Sequence, residues 1–268
     1  MVTPIENKKP PVVFVPGGVM PSELAYNPLL DIVGQEIQPI VKELEVYRFD
    51  QPQLDYSLET EVEGIKKAAN EACVKSFHLV GYSAGGASAL AYTARYPERV
   101  RSLALIEPAW IGKTSPENKG EWDAITRLMA LPDDERMKAF MRWQMRPGTE
   151  PPSLPLPPGP PPVWMAKRPA GLVAVMQAFN SYNLDQQRFR EFDKPVYYAL
   201  GGLSTPFYEK NAGTLSKMFP DMQVEMYDER SHLDPPHRSE AERFARAMRD
   251  LWKRGEKVYA SERQALHN

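Results

Sequence analysis

The residues with the clearest chemical potential form a short glycine-flanked motif around a serine. The sequence Gly81-Tyr82-Ser83-Ala84-Gly85 follows an apolar run at 77–80 and precedes a small-residue segment at 85–96 that predicts a helix. A Gly-x-Ser-x-Gly motif between a strand and a helix is typical of a nucleophile elbow, a sharp turn that exposes a serine hydroxyl. The two outer glycines permit backbone angles that a side chain would hinder. The motif therefore predicts that Ser83 is a nucleophile.

Short apolar runs predict the strands that would position this serine. Most of them are nearly continuous in apolar character, which is typical of parallel strands covered on both faces. The runs lie at 12–15, 44–49, 77–80, 103–106, 196–200 and, more weakly, 224–227. Helical patterns lie between several of the runs and after the last one. This alternation predicts an α/β fold with a doubly wound, mostly parallel sheet of about six strands.

The alternation breaks between 111 and 193, where no strand is predicted. Helical patterns occur there instead, at 117–131, 133–143, 164–179 and 185–192. We interpret 111–193 as a helical cap inserted into an α/β core formed by 1–110 and 194–268. The polar tail after Gly255 is expected to be loosely docked or frayed.

A proline-rich run lies inside the predicted cap. Residues 147–162 contain nine prolines, and they predict an extended, stiff loop because proline fixes φ and lacks a backbone donor. A ligand for a proline-binding module is the alternative interpretation. We favour a spacer, since the run contains no basic residue.

Charge and cysteine content restrict the class of protein. The chain has 33 Lys and Arg against 35 Asp and Glu, so nothing favours nucleic acid or an anionic membrane as a partner. The amino-terminal 11 residues are polar and lack a signal-peptide core, and no apolar stretch is long enough to span a bilayer. The single cysteine, Cys73, excludes an internal disulfide and is predicted to be a small buried side chain. We expect a cytoplasmic globular protein and infer no oligomeric state.

The order of these elements resembles the α/β-hydrolase superfamily over nearly the whole chain apart from the proline run. The motifs that carry the resemblance are Pro16-Gly17-Gly18 after the first run, the Ser83 elbow, Pro97-Glu98-Arg99-Val100 before the next strand, the insertion, and the late Ser231-His232. Only about ten residues precede the first run, so the two extra leading strands of many members are not expected.

The resemblance implies a histidine that takes the serine proton, because a serine hydroxyl alone is a weak nucleophile. Members place this base after the last strand, a position that His232 holds. The other three histidines fit the role less well. His78 lies within a predicted strand and is expected to be packed or hydrogen-bonded in the core. His237 is expected at the surface or just behind the site, and His267 lies in the tail.

The imidazole also needs a carboxylate that orients it and stabilises its charged form. The resemblance implies this group in the loop after the penultimate strand, but residues 201–206 contain no carboxylate. The alternative position known in the superfamily is the end of the strand after the nucleophile helix, where Glu107 lies. We predict Glu107 as the acid. The open alternatives are Asp228, Glu229, Asp234 and a dyad without an acid.

During acyl transfer a substrate oxygen becomes negatively charged. Backbone N–H groups must stabilise this charge by donating hydrogen bonds to the oxygen. The resemblance implies one donor directly after the nucleophile, at Ala84, and a second in the loop after the first strand. Proline replaces the usual histidine of that loop, in Pro16-Gly17-Gly18-Val19. We predict Gly18 as the second donor and Val19 as the next candidate. The alternative is that the two glycines only form a tight turn.

Six apolar and aromatic residues near the predicted nucleophile are candidates for a substrate pocket, although each could equally be a core residue. They are Met20, Tyr26, Tyr82, Trp110, Trp164 and Phe207. A pocket of this kind predicts a largely apolar small-molecule substrate. No residue spacing indicates a metal or a dinucleotide, and no Arg or Lys cluster indicates a phosphate or polycarboxylate. No cofactor beyond water is expected.

Together these residues predict a serine hydrolase that cleaves a carboxylic ester or related acyl bond through an acyl-enzyme. Two alternatives stay open. The same triad could hydrolyse a carbon–carbon bond or a lactone, because a fold does not determine its chemistry. A non-catalytic ligand-binding protein is the other alternative, which the missing His-Gly and the missing carboxylate at 201–206 motivate.

Overall fold

The computed structural model describes residues 9–112, 119–152 and 162–265. Six parallel strands form one sheet. They are β1 (Pro11–Val15), β2 (Gln38–Val41), β3 (Phe77–Tyr82), β4 (Val100–Ile106), β5 (Val196–Gly201) and β6 (Met222–Tyr227). Their order across the sheet is β2-β1-β3-β4-β5-β6, so the winding direction reverses between β1 and β3. The predicted fold class, a doubly wound parallel sheet of about six strands, is confirmed.

Ten α-helices of the described residues flank this sheet or lie between its strands. They are α1 (Ser22–Val33), α2 (Leu58–Glu71), α3 (Ala84–Arg95), α4 (Lys119–Met129), α5 (Asp133–Trp143), α6 (Arg168–Ser181), α7 (Arg188–Glu191), α8 (Pro206–Ser216), α9 (Pro236–Ser239) and α10 (Ala241–Ala265). Alternate strand residues pack on opposite faces. Val13 and Leu79 pack with residues of α2 and α3, whereas Val12 and Phe14 pack with residues of α1 and α10. Both faces of the sheet are therefore covered, which explains the continuous apolar runs.

The prediction of a strand at 44–49 is wrong. Those residues contain the short 3-10 helix Glu45–Tyr47, and the strand is β2, which begins six residues earlier. β2 is an edge strand whose residues are mostly exposed, so it needs no apolar run, and an edge tolerates its Pro39. The apolar residues after it are buried by the helices that cover the sheet rather than by strand pairing.

The segment between β4 and β5 contains α4 to α7 and the 3-10 helix Val163–Lys167. It is attached to the core through aromatic contacts. The rings of Trp110 and Phe179 stack with centroids 5.6 Å apart, and the Arg168 guanidinium lies 3.8 Å from the ring centroid of Tyr47. Most of the predicted proline loop, 153–161, lies outside the described residues.

The expectation of a loosely docked tail after Gly255 is wrong, because α10 continues to Ala265. Its second half is held by polar contacts to the sheet. Oε1 of Glu256 is 2.7 Å from Nη1 of Arg101 and 3.0 Å from Nε2 of His78. His78 also contacts the Ser102 hydroxyl over 2.8 Å, so its predicted role as a hydrogen-bonded core histidine is confirmed.

The prediction that Cys73 is buried is also wrong. The residue lies just beyond the end of α2, with φ of 58°, and its side chain is exposed. The helical periodicity of the sequence continues past the point where the helix ends. The turn directs the thiol away from the apolar face on which a longer helix would have placed it.

The docking of α6 onto Tyr47 gives a test of the packing between the inserted helices and the core. A methyl group on Gly171 would overlap the Tyr47 ring, and this ring is held because its hydroxyl donates to the Gly18 carbonyl over 2.6 Å. We expect Gly171→Ala to lower the free energy of unfolding by about 1–3 kcal/mol, through overpacking.

Gly213→Ala is the matched control, since Gly213 lies in α8 with no atom near its missing side chain. There the substitution should raise stability by about 0.5–1 kcal/mol. Urea unfolding followed by circular dichroism measures both changes. Equal stabilisation by the two substitutions would contradict the close packing of α6 on Tyr47.

Candidate active site

Ser83 lies in the turn that joins β3 to α3, at the carboxyl edge of the sheet. Its φ and ψ are 54° and −117°, a strained combination for a residue with a side chain. Its N–H donates to the carbonyl of Ile106 over 3.0 Å, and its carbonyl accepts from the N–H of Ala109 over 2.9 Å. These bonds hold the strained turn against the end of β4. The side chain of Ser83 lines a cavity above the sheet.

His232 lies in the loop after β6, and its imidazole joins two of the other predicted residues. Nε2 is 3.0 Å from Oγ of Ser83, and Nδ1 is 3.0 Å from Oε2 of Glu107. A proton on Nδ1 would be donated to the carboxylate, which leaves Nε2 as an acceptor for the serine hydroxyl. Ser83, His232 and Glu107 therefore form one continuous hydrogen-bonded line, although 149 residues separate Ser83 from His232 in the sequence.

Glu107 directly follows β4 and is 2% exposed. Its φ is 43°, a second strained residue beside the strained serine. Oε1 accepts the N–H of Gly201 over 2.7 Å, so each carboxylate oxygen has its own partner. The N–H of Gly201 and the imidazole therefore hold the carboxylate from two sides.

The other carboxylates considered as the acid lie elsewhere. Asp228 and Glu229 are exposed. Asp234 contacts Arg230, with Oδ2 2.5 Å from Nη1, and accepts from the Ser239 hydroxyl. Of these candidates, Glu107 is the one whose carboxylate contacts the imidazole.

Two tyrosines enclose the imidazole. The Tyr208 ring stacks on His232 with centroids 4.4 Å apart and planes 5° apart, and its hydroxyl lies 3.2 Å from Nε2. The same hydroxyl donates to Oε1 of Gln144, and the Tyr82 hydroxyl donates to the His232 carbonyl. Burial raises the pKa of both tyrosines, and the nearby charge of Glu107 raises it further. Both phenols are therefore neutral at physiological pH.

The start of α3 and the loop after β1 both lie beside the serine. Ala84 is the first residue of α3, and the first amides of a helix have no intrahelical partner. Gly17 and Gly18 line the cavity together with Ser83 and Ala84. A side chain on Gly17 would come within 3.2 Å of the Ser83 Cβ, so the loop after β1 passes directly beside the serine.

The cavity above Ser83 is bounded mainly by apolar side chains from the inserted helices. These are Ile125, Phe140, Met141, Leu172, Val175, Met176 and Phe179. Residues that follow β1 and β6, and residues of α9, complete the wall. The lining residues with polar side chains, apart from Ser83, are Tyr82, Gln144, Tyr208, His232, His237 and Arg238.

Of the six predicted pocket residues, Met20 and Tyr82 line this cavity. The other four occupy different places. The Tyr26 hydroxyl donates to the carbonyl of Val15 over 2.8 Å, and Trp110 stacks behind the wall on Phe179. Phe207 packs against Trp143, and Trp164 lies beside Arg168. None of these four is among the lining residues that the structure describes.

The expectation that His237 lies at the surface or behind the site needs correction, because this residue is fully buried and lines the cavity. Its ring lies 5.0 Å from those of Tyr26 and Tyr82, between centroids. Burial, with smaller effects of Arg238 and His232, lowers its pKa to about 3. Neither ring nitrogen has a hydrogen-bond partner among the residues that the structure describes. His267 lies outside those residues.

Sequence reasoning did not identify Tyr208, Gln144 or Arg238 as residues of this site. Tyr208 follows the loop at 201–206, where the resemblance implied a carboxylate that the sequence lacks. That implied position is next to the imidazole, so residues just after the loop could have been predicted to reach the site. Gln144 caps the end of α5 and has no local motif. Arg238 lies six residues after His232 and directly after His237, which was expected at the surface or just behind the site.

Within the described part of the chain, no three His, Cys, Asp or Glu side chains cluster closely enough to hold a metal ion. In the same residues, no helix has both the length and the apolar character of a membrane span.

A strained serine between a parallel strand and a helix, bonded to a histidine after the last strand, defines the class of α/β proteins that carry a nucleophile elbow. The sequence agrees with this architecture. The profile of the alpha/beta hydrolase fold family matches residues 10–151, about half of the chain, and the chain belongs to this family.

Several solved structures resemble this chain at low sequence identity. An esterase from Exiguobacterium antarcticum has 18% identity and a TM-score of 0.70, with 92% of each chain covered. A thermophilic esterase from Thermogutta terrifontis has 17% identity and a TM-score of 0.68, with 92% of this chain and 91% of that chain covered. Naproxen esterase from Bacillus subtilis has 19% identity and a TM-score of 0.60, with coverage of 91% and 84%. At such identities the likeness shows the fold alone. A comparison with curated proteins gives no match.

The burial of His237 predicts a loss of stability in mild acid. An unperturbed histidine has a pKa of about 6.5, so the unfolded chain takes up a proton at a pH where folded His237, with its pKa of about 3, stays neutral. The stabilising contribution is complete above the unfolded pKa and decreases as the pH falls below it. Between pH 7 and pH 5, wild type should lose about 2 kcal/mol more unfolding free energy than His237→Phe.

Urea unfolding at several pH values across this range measures the difference between the two proteins. The comparison cancels the titration of groups that both proteins share. Parallel pH profiles for wild type and His237→Phe would contradict the buried, neutral state of this histidine.

Proposed function

We propose that this protein is a serine hydrolase that cleaves a carboxylic ester, or a related acyl bond, of a largely apolar small molecule. The observation that carries the proposal is the line from Ser83 through His232 to Glu107, with both contacts at 3.0 Å. The esterases among the similar structures support the same reaction class, although they share only the fold with this chain.

In this proposal Ser83 is the nucleophile and His232 is the general base. Oγ of Ser83 attacks the ester carbonyl carbon while Nε2 of His232 takes the hydroxyl proton. The resulting imidazolium returns this proton to the leaving alcohol as the C–O bond breaks, which leaves an acyl-enzyme. Water then attacks the acyl group, with His232 again as the base, and releases the carboxylic acid and free Ser83.

Glu107 is the residue that orients the base and stabilises its charged form. Its Oε2 accepts the Nδ1 proton, which holds Nε2 in the acceptor form that the serine hydroxyl needs. The N–H of Gly201 donates to the other oxygen and fixes the position of the carboxyl group. The stacked ring of Tyr208 restricts rotation of the imidazole between the two proton-transfer steps.

The oxyanion of the tetrahedral intermediate would be bound by the backbone N–H groups of Ala84 and Gly18. Ala84 begins α3, where its amide has no helical partner, and Gly18 lines the cavity at the loop after β1. Preformed backbone donors of this kind typically contribute about 3–4 kcal/mol to transition-state stabilisation.

The segment 111–193 would act as a cap over this site. The apolar lining from α4, α5 and α6 supports an apolar substrate, because such walls favour burial of apolar surface. Met20 and Tyr82 are proposed as substrate contacts. Tyr26, Trp110, Trp164 and Phe207 would instead support the walls from behind.

Replacement of the nucleophile is the most direct test. Ser83→Ala should abolish fluorophosphonate labelling and lower kcat/KM for a 4-nitrophenyl ester by more than about 10³-fold, because no other group can form the acyl-enzyme. Ser88→Ala is the matched control, since Ser88 is buried in α3 and its hydroxyl only bonds the Ala84 carbonyl. Wild-type rates in Ser83→Ala, or lack of labelling in wild type, would refute the proposed hydrolase.

The carboxylate can be tested with an isosteric amide. In Glu107→Gln, the amide oxygen can still accept from Gly201, but its NH₂ group would face Nδ1 and favour the tautomer with the proton on Nε2. We expect kcat to fall by about 10³- to 10⁴-fold while the fold is kept.

Glu225→Gln is the control for Glu107→Gln. Glu225 lies in β6 of the same sheet, and its carboxylate accepts hydrogen bonds from Tyr197 and Arg243 outside the cavity. Single-turnover rates with both variants separate chemistry from binding. A Glu107→Gln rate within a few-fold of wild type would remove Glu107 from the mechanism.

A further inference from the structure

The cavity has two walls of different chemistry. One wall consists of apolar side chains from α4, α5 and α6, which belong to the core cluster on one face of the sheet. The other wall comes from Met20, Ala25 of α1, and His237 and Arg238 of α9. Ala25 and Met20 belong to, or pack against, the cluster on the opposite face. The second wall therefore carries the polar side chains His237 and Arg238, and the wall formed by α4, α5 and α6 is apolar.

Arg238 is a cation without a counter-charge on this second wall. Its guanidinium contacts the sulfur of Met20, and no carboxylate of the described residues lies within ion-pair distance of it. The acidic residues around it are already engaged. Asp234 pairs with Arg230, and Glu240 lies near both Arg230 and Arg243. Arg238 is only partly buried, so its guanidinium is open to water or to an anion that enters the cavity.

His237 adds an unsatisfied hydrogen-bonding group next to this cation. The side chain is fully buried and lines the cavity, yet both ring nitrogens lack partners among the described residues. A neutral imidazole always carries one N–H donor and one acceptor. Leaving both unpaired in a buried position is costly, and a ligand group that came within hydrogen-bond distance of the ring would offset this cost.

The charge balance of the lining identifies the complementary group. Among the lining residues that the structure describes, Arg238 is the only arginine or lysine, and no Asp or Glu is present. One positive charge matches a singly charged anion. A carboxylate fits the planar fork of a guanidinium through two parallel hydrogen bonds, whereas the double charge of a phosphate monoester would call for more than one cation.

We propose that this wall is a carboxylate-binding subsite, in which Arg238 pairs with a free carboxylate of the substrate and His237 donates a ring N–H to it. The substrate class that follows is an ester whose acyl or alcohol part carries an ionised carboxyl group beside an apolar portion. This assignment deepens the proposed hydrolase function and rests on it for the cleavage step, but the binding step does not require Ser83.

Two pairs of esters test the subsite by rate. Monophenyl adipate and its methyl ester place the carboxylate, or its neutral equivalent, on the acyl side. 4-Acetoxybenzoate and its methyl ester place it on the leaving group. Wild type should prefer the acid over the neutral ester by at least about tenfold in kcat/KM for one pair, since a charged hydrogen-bonded pair contributes at least this much.

Arg238→Met should lower this acid-to-neutral ratio by about tenfold or more, and Arg238→Lys should give an intermediate ratio because it keeps the charge but not the fork. Arg243→Met is the matched control, since Arg243 lies on α10, contacts Glu225 and Glu240, and does not line the cavity. Its ratio should equal that of wild type. A wild-type ratio near one for both pairs, or an unchanged ratio in Arg238→Met, would overturn the subsite.

Binding to Ser83→Ala separates the subsite from catalysis. Calorimetric titration with adipic acid monoanilide, which has an amide in place of the ester, should give at least about tenfold tighter binding than its methyl ester. Adding Arg238→Met should abolish the difference, and adding His237→Phe should reduce it. Selective binding without hydrolysis by wild type would refute the hydrolase and support the subsite. Hydrolysis by wild type with equal binding of acid and methyl ester would refute the subsite alone.

Discussion

The carboxylate of Glu107 is buried where the ends of three strands meet, and each of its oxygens has a partner. One accepts the N–H of Gly201 at the end of β5, and the other contacts His232 after β6. A buried carboxylate that lost these partners would destabilise the fold by several kcal/mol. The same two bonds that satisfy the charge also fix the imidazole relative to β4, and the orientation of that ring toward Ser83 depends on them.

Glu107 contacts the imidazole from the end of β4, and the loop at 201–206 approaches the same place with a backbone group. Gly201 contributes a backbone donor to Glu107, and the chain then enters α8, which brings Tyr208 against the face of His232. The loop thus supplies an aromatic wall instead of an acid. Two strained residues, Ser83 and Glu107, directly follow the neighbouring strands β3 and β4. Their φ angles are 54° and 43°. Such strain persists only where surrounding bonds fix the backbone, and here the sheet edge provides them.

Local patterns in the sequence predicted the interior strands. The resemblance to the α/β-hydrolase superfamily suggested Ser83, His232 and Glu107 as candidates, and their side chains lie within hydrogen-bond distance. A strand covered on both faces must be apolar throughout, so four interior strands were visible, whereas the exposed edge strand β2 left no such pattern. Contacts between elements that are far apart in the sequence leave no local pattern from which they could be predicted. The burial of His237 depends on how α9 packs beside Tyr26 and Tyr82. Gln144 meets Tyr208 because the end of α5 lies against the loop that follows β5.

The order of the strands has a consequence for how the chain reaches its native state. Ser83 and Glu107 end consecutive, paired strands, but His232 comes 125 residues after Glu107, beyond the whole inserted segment. The entropic cost of closing so long a loop grows only slowly with its length, yet such nonlocal pairing is intrinsically slow to form. The imidazole can join its partners only after β5 and β6 have added to the sheet. During refolding, the contact between His232 and Ser83 would therefore form late, with completion of the sheet and after the return of helical structure.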